Sequence, residues 1–313
     1  MLSTSLFQNA NVSDLAWVLA SPPLIQGNIA ACHWTDSAFW QQQGQAFYNN
    51  LLQTDTDSSA LHDLLKRQTD RRLGHRFETL LSYWFNNNER YQLIAQNLQV
   101  QDTEKTIGEF DFIVKDHLHN THQHWEVACK FYLGLGDTAQ PENWYGPMLK
   151  DRLAIKYKQM QTRQSQLSHH PASVSLLKTL GIHIQQPVCL MKGRLFYPLT
   201  QSAKISPNLV SSDHQQGWWA RTDDFFNYYK KSTLRWCILS KNQWLAQQRF
   251  NPAECAYSTS ELIDAFSCEA NPRPICVAGF LSNSPQQLEQ TRGFLVAKDW
   301  AKESNFNDNT NSY

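Results

Sequence analysis

The sequence predicts an α/β fold, and three observations carry that reading. Residues 58–84 hold the best amphipathic helical pattern of the chain, with Leu73, Phe77, Leu80, Leu81 and Trp84 at helical spacing. Three strand-like runs follow, "YQLIAQNLQV", "TIGEFDFIV" and "HWEVACKFYL". Helical periodicity then returns in "MLKDRLAIKYKQMQTRQSQL", ahead of a further strand, "QQPVCLMKGRLFYP". The expected order from residue 58 is helix, three strands, helix, strand.

Before that core, residues 1–57 read as a helical layer. "NVSDLAWVLASP" places a Ser/Asp cap before an apolar face and a Pro stop, and "TDSAFWQQQGQAFYNNLLQ" repeats the pattern. The core is expected over 58–200. Its second helix sets Leu149, Leu153, Tyr157, Met160 and Gln164 on the inner stripe, and a third helical piece lies near "SVSLLKTLG". Residues 201–300 read as a mixed α/β region packed on the core. Strands are expected there in "LRWCILS", "RPICVAGFL" and "RGFLVAK", and helices in "TDDFFNYYKK" and "STSELIDAFS". Residues 301–313 form a polar tail, expected to be disordered.

Composition narrows the function classes. The 313 residues carry no net charge, which argues against a constitutive nucleic-acid coat or a membrane-surface protein. The distribution is uneven: the first 65 residues hold Asp14, Asp36, Asp55, Asp57 and Asp63 and no Lys or Arg. "MLSTSLFQNANVSDLAW" lacks the basic start and apolar run of a secretory signal. No apolar run approaches the roughly 20 residues of a spanning helix, so a cytoplasmic protein away from membranes is expected. The 7 cysteines stand singly without a CxxC pair and read as buried small hydrophobes in a reducing compartment. With 11 Trp and 16 Phe in a chain of mean hydropathy -0.53, most aromatic rings must fill the core. No P-loop, dinucleotide-binding glycine motif, HExxH or GxSxG is present, which weighs against nucleotide hydrolysis, dehydrogenase, zinc-protease and hydrolase chemistry.

Four charged residues interrupt the middle strands. Glu109 and Asp111 share one face of their strand; Glu126, Ala128 and Lys130 share one face of the next. A hairpin with its loop near residues 117–122 sets Asp111 opposite Ala128 and Glu109 opposite Lys130. Two acids and a lysine on one patch suit a hard divalent cation, Mg²⁺ or Mn²⁺, with the lysine orienting a water or supporting a phosphoryl transition state. The structural alternative is a Glu109–Lys130 salt bridge at a sheet margin.

The order of elements, with Glu78 in "LGHRFETLL", Asp111 in "GEFDF" and Glu126 and Lys130 in "EVACK", resembles the core of the PD-(D/E)XK nuclease superfamily over about residues 66 to 200. The resemblance implies a restriction-endonuclease-like core hydrolysing DNA or RNA. Asp111 and Glu126 would hold the metal, Lys130 would position water, and Glu78 would support from the helix. The superfamily places its acid two residues before the lysine; Ala128 stands there, and Glu126 lies four before Lys130. A catalytically degenerate binding module is therefore the alternative. "LGHRFETLLSYWF", "WYGPMLKDRLAIKYKQM", "LSKNQWL" and "RGFLVAKDW" also resemble an uncharacterised bacterial family, a domain of unknown function with a nuclease-like core. That resemblance implies a cytoplasmic setting and no established substrate.

Further candidates surround this patch. Arg152, Lys156 and Arg163 fall on one stripe of the basic second helix and could track a phosphate backbone; a solvated helix face is the plainer explanation. Trp144 and Tyr145 precede that helix and could stack on an unpaired base or cap the core. His75, beside Glu78, is either a supporting residue or a core-edge partner of Glu78. "HLHNTHQH" groups four histidines without regular ligand spacing, which disfavours zinc. A protein partner meeting the acidic N-terminal region is a third reading, in which neither metal nor nucleic acid matters.

Overall fold

The computed structural model describes residues 7–29, 32–68, 70, 72–103, 105–251, 257–268, 272–281 and 288–302. The expected polar tail lies outside the described residues from position 303 onward. Along the chain run α1 (Ala10–Ala20), β1 (Asn28–Ile29), β2 (Cys32–Trp34), α2 (Ser37–Ala46), α3 (Tyr48–Thr56), α4 (Ser59–Lys66) and α5 (Leu73–Asn86). Next come β3 (Tyr91–Asp102), β4 (Lys105–Asp116), β5 (Thr121–Gly134), β6 (Trp144–Tyr145), α6 (Leu153–Gln159), α7 (Pro171–Thr179) and β7 (Ile184–Pro198). The chain ends with β8 (Gln215–Arg221), α8 (Thr222–Tyr229), β9 (Leu234–Leu239), α9 (Thr259–Ser267), β10 (Ile275–Leu281) and β11 (Glu289–Val296). The fold is mixed α/β, as expected. No helix among the described residues is long and apolar enough to cross a membrane.

Local chemistry explains the element ends. Asn9 caps α1 by accepting from Asn11 N, Asp36 caps α2 by accepting from Phe39 N, and α9 starts in a Ser258/Glu261 capping box. The single helix expected over 58–84 is two helices. Between α4 and α5, the Asp70 carboxylate accepts from the backbone N and the guanidinium of Arg72, and this local turn replaces continued helix. The second core helix also starts later than expected, at Leu153, and its last part is a π-helical turn, Met160–Gln164. β8 lies outside the expected strands, because "QQGWWAR" offers only a short apolar run.

The chain forms two compact units. The first comprises Met1–Lys130, Lys156–Gly193 and Leu209–His214; the second comprises Phe131–Ile155, Arg194–Asn208 and Gln215–Tyr313.

In the first unit the sheet order is β3, β4, β5, β7, with β2 parallel to β7. β3 and β4 are antiparallel, as are β4 and β5. Gly193 explains the close approach of β7: its φ is +149°, and a Cβ there would meet the Lys130 carbonyl oxygen at 1.7 Å. Trp40, Trp84, Phe85, Tyr91 and Trp125 form one aromatic core with ring centroids 4.8 to 6.4 Å apart. Arg76 on α5 holds Asp14 on α1 at 2.6 Å. The fully buried Lys192 donates to Ser21 O at 2.6 Å, just past the end of α1, and lies 4.0 Å from the centre of the Trp40 ring.

In the second unit the last residues of β7, Arg194 to Pro198, pair parallel with β8. β8 is parallel to β11, and β11, β10 and β9 continue antiparallel. Trp218, Phe225, Trp236, Leu262, Val277 and Leu295 form its core. Glu289 and Arg292 make a buried pair at 2.5 Å, and Arg292 also donates to the Trp244 and Ala246 carbonyls. Cys237 is disulfide-bonded and Cys268 is exposed, so the expectation of seven reduced, buried cysteines fails at both positions.

Candidate active site

The site is built on the β4–β5 hairpin. Ladder pairs run from Asp116↔Thr121 to Phe112↔Trp125, two positions away from the register expected from a longer loop. The turn is shorter because Asp116 accepts from Leu118 N and Asn120 takes a positive φ of 51°. The ladder then gives way to a side chain: Asp111 Oδ2 accepts from Val127 N at 2.9 Å. Asp111 thus comes beside Glu126, not opposite Ala128, and the two acids meet because the register moved by an even step.

Glu126 is 1% exposed, and neither of its carboxyl oxygens has a hydrogen-bond partner among the described residues. Lys156 Nζ lies 3.7 Å from its Oε1 and His124 Nε2 3.9 Å from its Oε2. Burial and then the Asp111 charge push the Glu126 pKa well above the usual carboxylate value, against Lys156. Burial also raises Asp111, opposed by the Val127 N–H and by Lys156. His124 packs edge-on to Phe110 with centroids 4.7 Å apart, and burial lowers its pKa to about 3, so it stays neutral.

Three further elements complete the surroundings. From α6, Lys156 donates to Gln164 Oε1 at 2.9 Å. The π turn carries Arg163 and Gln164 to a cavity of about 350 Å³, which is also lined by Glu109, Asp111, Gln159 and Leu167. Such turns recur at functional sites because one wider loop of backbone re-aims several side chains at once. From α5, Glu78 lies close enough to Asp111 for burial and the Asp111 charge to raise its pKa. His75 Nδ1 opposes this at 3.1 Å from Glu78 Oε2, and the other ring nitrogen of His75 faces Arg72 at 2.8 Å.

The structure brings together Glu78, Asp111 and Glu126 with Lys156, and sets Glu109 and Arg163 on the same cavity. It changes the lysine: the one at the carboxylates is Lys156. Lys130 lies four residues beyond Glu126 on β5, roughly 13 Å along a regular strand. The basic stripe also divides. Arg152 stands in the second unit with its guanidinium 5.0 Å from the Tyr145 ring centre, while Lys156 and Arg163 belong to the first. Trp144 is a core residue, fully buried, donating to Thr138 O and packed edge-on to Tyr197, so it offers no face for a base. Among the four histidines, His119 binds Asp116 and His124 is buried beside Glu126.

Sequence reasoning missed Gln159 and the contact between Lys156 and Glu126. Gln164 did carry a signal, a polar residue on an otherwise apolar helical stripe. Chemically, Asp111 beside Glu126, whose two oxygens lack hydrogen-bond partners, forms a hard-oxygen donor set, which fits Mg²⁺ or Mn²⁺. No group of three or more His, Cys, Asp or Glu among the described residues is arranged to hold a metal. A cation here would take Asp111 and Glu126 and complete its shell with water and ligand oxygens.

No curated protein and no solved structure matches the chain. A family model described as a domain of unknown function, DUF1853, matches residues 13–296.

Proposed function

The chain belongs to the DUF1853 family, a domain of unknown function, and from its site we propose that it is a Mg²⁺- or Mn²⁺-dependent nuclease hydrolysing phosphodiester bonds of DNA or RNA. The observation that carries this reading is the grouping of Asp111, Glu126 and Lys156 beside a cavity lined by Arg163. The order α5, β3, β4, β5, α6, β7, with Glu78 on the helix and the acids on β4 and β5, supports a restriction-endonuclease-like core.

Each side chain has a role in this reading. When bound, the divalent cation would supply charge neutralisation at the scissile phosphate and a more acidic water. Asp111 and Glu126 would hold the cation, and the Val127 N–H, which already fixes the Asp111 carboxylate, would orient it for that task. Lys156, tethered by Gln164, places its ammonium where it can orient the attacking water or balance charge developing on the phosphoryl oxygens. Glu78, its pKa raised by burial and the Asp111 charge and its carboxylate steadied by His75, can pass a proton to or from the site water. Arg163 offers a fork of donors to a non-bridging phosphate oxygen.

A second reading is a nucleic-acid- or partner-binding module on the same scaffold, favoured by the pair of carboxylates where a group of three would hold a metal more firmly. One experiment separates the two: cleavage of single- and double-stranded DNA and RNA with Mg²⁺ or Mn²⁺ by wild type, Asp111→Ala, Lys156→Ala and Lys130→Ala. The nuclease reading expects cleavage lost in the first two variants and kept in Lys130→Ala. Nucleic-acid binding that a chelator leaves unchanged, without cleavage by wild type, would establish the binding module instead.

A further inference from the structure

A second cavity of the first unit, about 530 Å³, adjoins the first along the backbone: Leu167 lines one, and Ser168 and His169 line the other. Consecutive Cα atoms are about 3.8 Å apart, so the two hollows share a wall made by the turn Leu167–His169. Their chemistry differs. The second has an apolar floor of Val174, Leu177 and Ile182, a rim of Lys178, His169 and His183, and no carboxylate in its lining.

We propose that this second cavity holds the nucleotide next to the one whose phosphate lies at Asp111, so that the substrate is a single strand or an unpaired end and not an intact duplex. The inference rests on the nuclease reading for which phosphate reacts. It deepens that reading by naming the substrate class and a binding subsite outside the carboxylate pair.

Four observations support it. Both cavities are concave hollows, and a base must leave its stack to enter either one. An apolar floor flanked by imidazole rings suits the π-face of an unstacked base, and such contacts tolerate any sequence. Lys178 is exposed and makes no ion pair among the described residues, so its ammonium is available to the phosphate between the two nucleotides. The first cavity adds Gln159 and Gln164, whose amides can donate to and accept from a base edge.

The test uses the full chain and a short fluorescein-labelled oligothymidylate, with anisotropy read in EDTA over a range of salt. Lys178→Ala and His183→Ala alter exposed positions, and Lys66→Ala, on α4 and in neither cavity, is the control for loss of surface charge. The expected result is single-strand binding weakened about tenfold in both cavity variants, with the salt slope of Lys178→Ala reduced by about 0.7. A blunt hairpin duplex should bind more weakly than the single strand.

Variants no weaker than Lys66→Ala, equal affinity for duplex, or absence of binding overturns the proposal. Hydrolysis of bis(4-nitrophenyl) phosphate with Mn²⁺ is followed in parallel, because that small diester needs only the first cavity. Its loss in Asp111→Asn, with strand binding indifferent to Lys178, keeps the nuclease and removes the subsite. Strand binding that depends on Lys178, without hydrolysis of any diester, keeps the subsite and removes the nuclease.

Discussion

Two aspartates stand five residues apart on β4 and meet opposite fates. Asp116 accepts from Arg90 Nε and Nη2, His119 Nδ1 and Leu118 N, at 2.8 to 3.1 Å. Burial alone would raise its pKa, but the Arg90 and His119 hydrogen bonds override that and bring it down to about 2. Asp111 has the Val127 N–H and an acidic neighbour, and burial leaves its pKa raised. The fold surrounds the carboxylate that closes the hairpin with donors and gives the one that lines the cavity a single backbone donor beside a second acid, Glu126, whose own oxygens lack partners. Saturated carboxylates stabilise a structure; unsatisfied ones store electrostatic cost that only a bound cation or proton relieves.

The largest effect should come from the Asp111–Glu126 pair. Asp111→Asn is expected to lower metal-dependent cleavage roughly 10²–10³-fold, measured as single-turnover rates at saturating Mn²⁺. Lys156→Ala should fall in the same range, and unchanged rates in both would place the chemistry elsewhere.

Next comes the satisfied end. Asp116→Asn should cost about 3 kcal/mol by urea denaturation at neutral pH, because it strips a buried partner from Arg90. Its folded pKa lies below the ordinary 3.8, so the stabilisation is present above that value and is lost as pH falls towards 2. The gap between wild type and variant should close over that window.

The smallest effect has the opposite sign. Glu126→Gln should raise stability by about 1 kcal/mol, or roughly 2–4 °C in Tm, while lowering cleavage. The folded pKa of Glu126 is raised, so the native state binds more protons than the unfolded chain and wild type loses stability as pH climbs above 4.5. The gain in the Gln variant should therefore vanish below about pH 4.5, and a gain persisting there would refute the electrostatic origin.

Much of this is legible in the sequence. Strand alternation groups the acids of each strand on one face, and the two groups share a face in any register that differs from the expected one by an even step. The apolar stripe of α5 fixed Glu78 beside the core. What could not be read was set by local chemistry of low sequence contrast: the Asp70 turn that splits one helix into two, and the π turn that redirects Arg163 and Gln164. The identity of the lysine was lost for a related reason. A lysine on a strand is counted by parity, whereas Lys156 reaches Glu126 across elements, a contact that only tertiary packing specifies.

The turn between Asp116 and Thr121 governs more than its own residues. An insertion of one residue there would exchange the two faces of β5, turning Val127 and Cys129 to the face that now carries Glu126 and sending Glu126 to the face of Trp125 and the aromatic core. An insertion of two would keep the faces and slide Glu126 past Asp111. The hairpin tip, although remote from the cavity, thus acts as the phase setting of the whole constellation, and loop length is inherited by the chemistry as a parity rule.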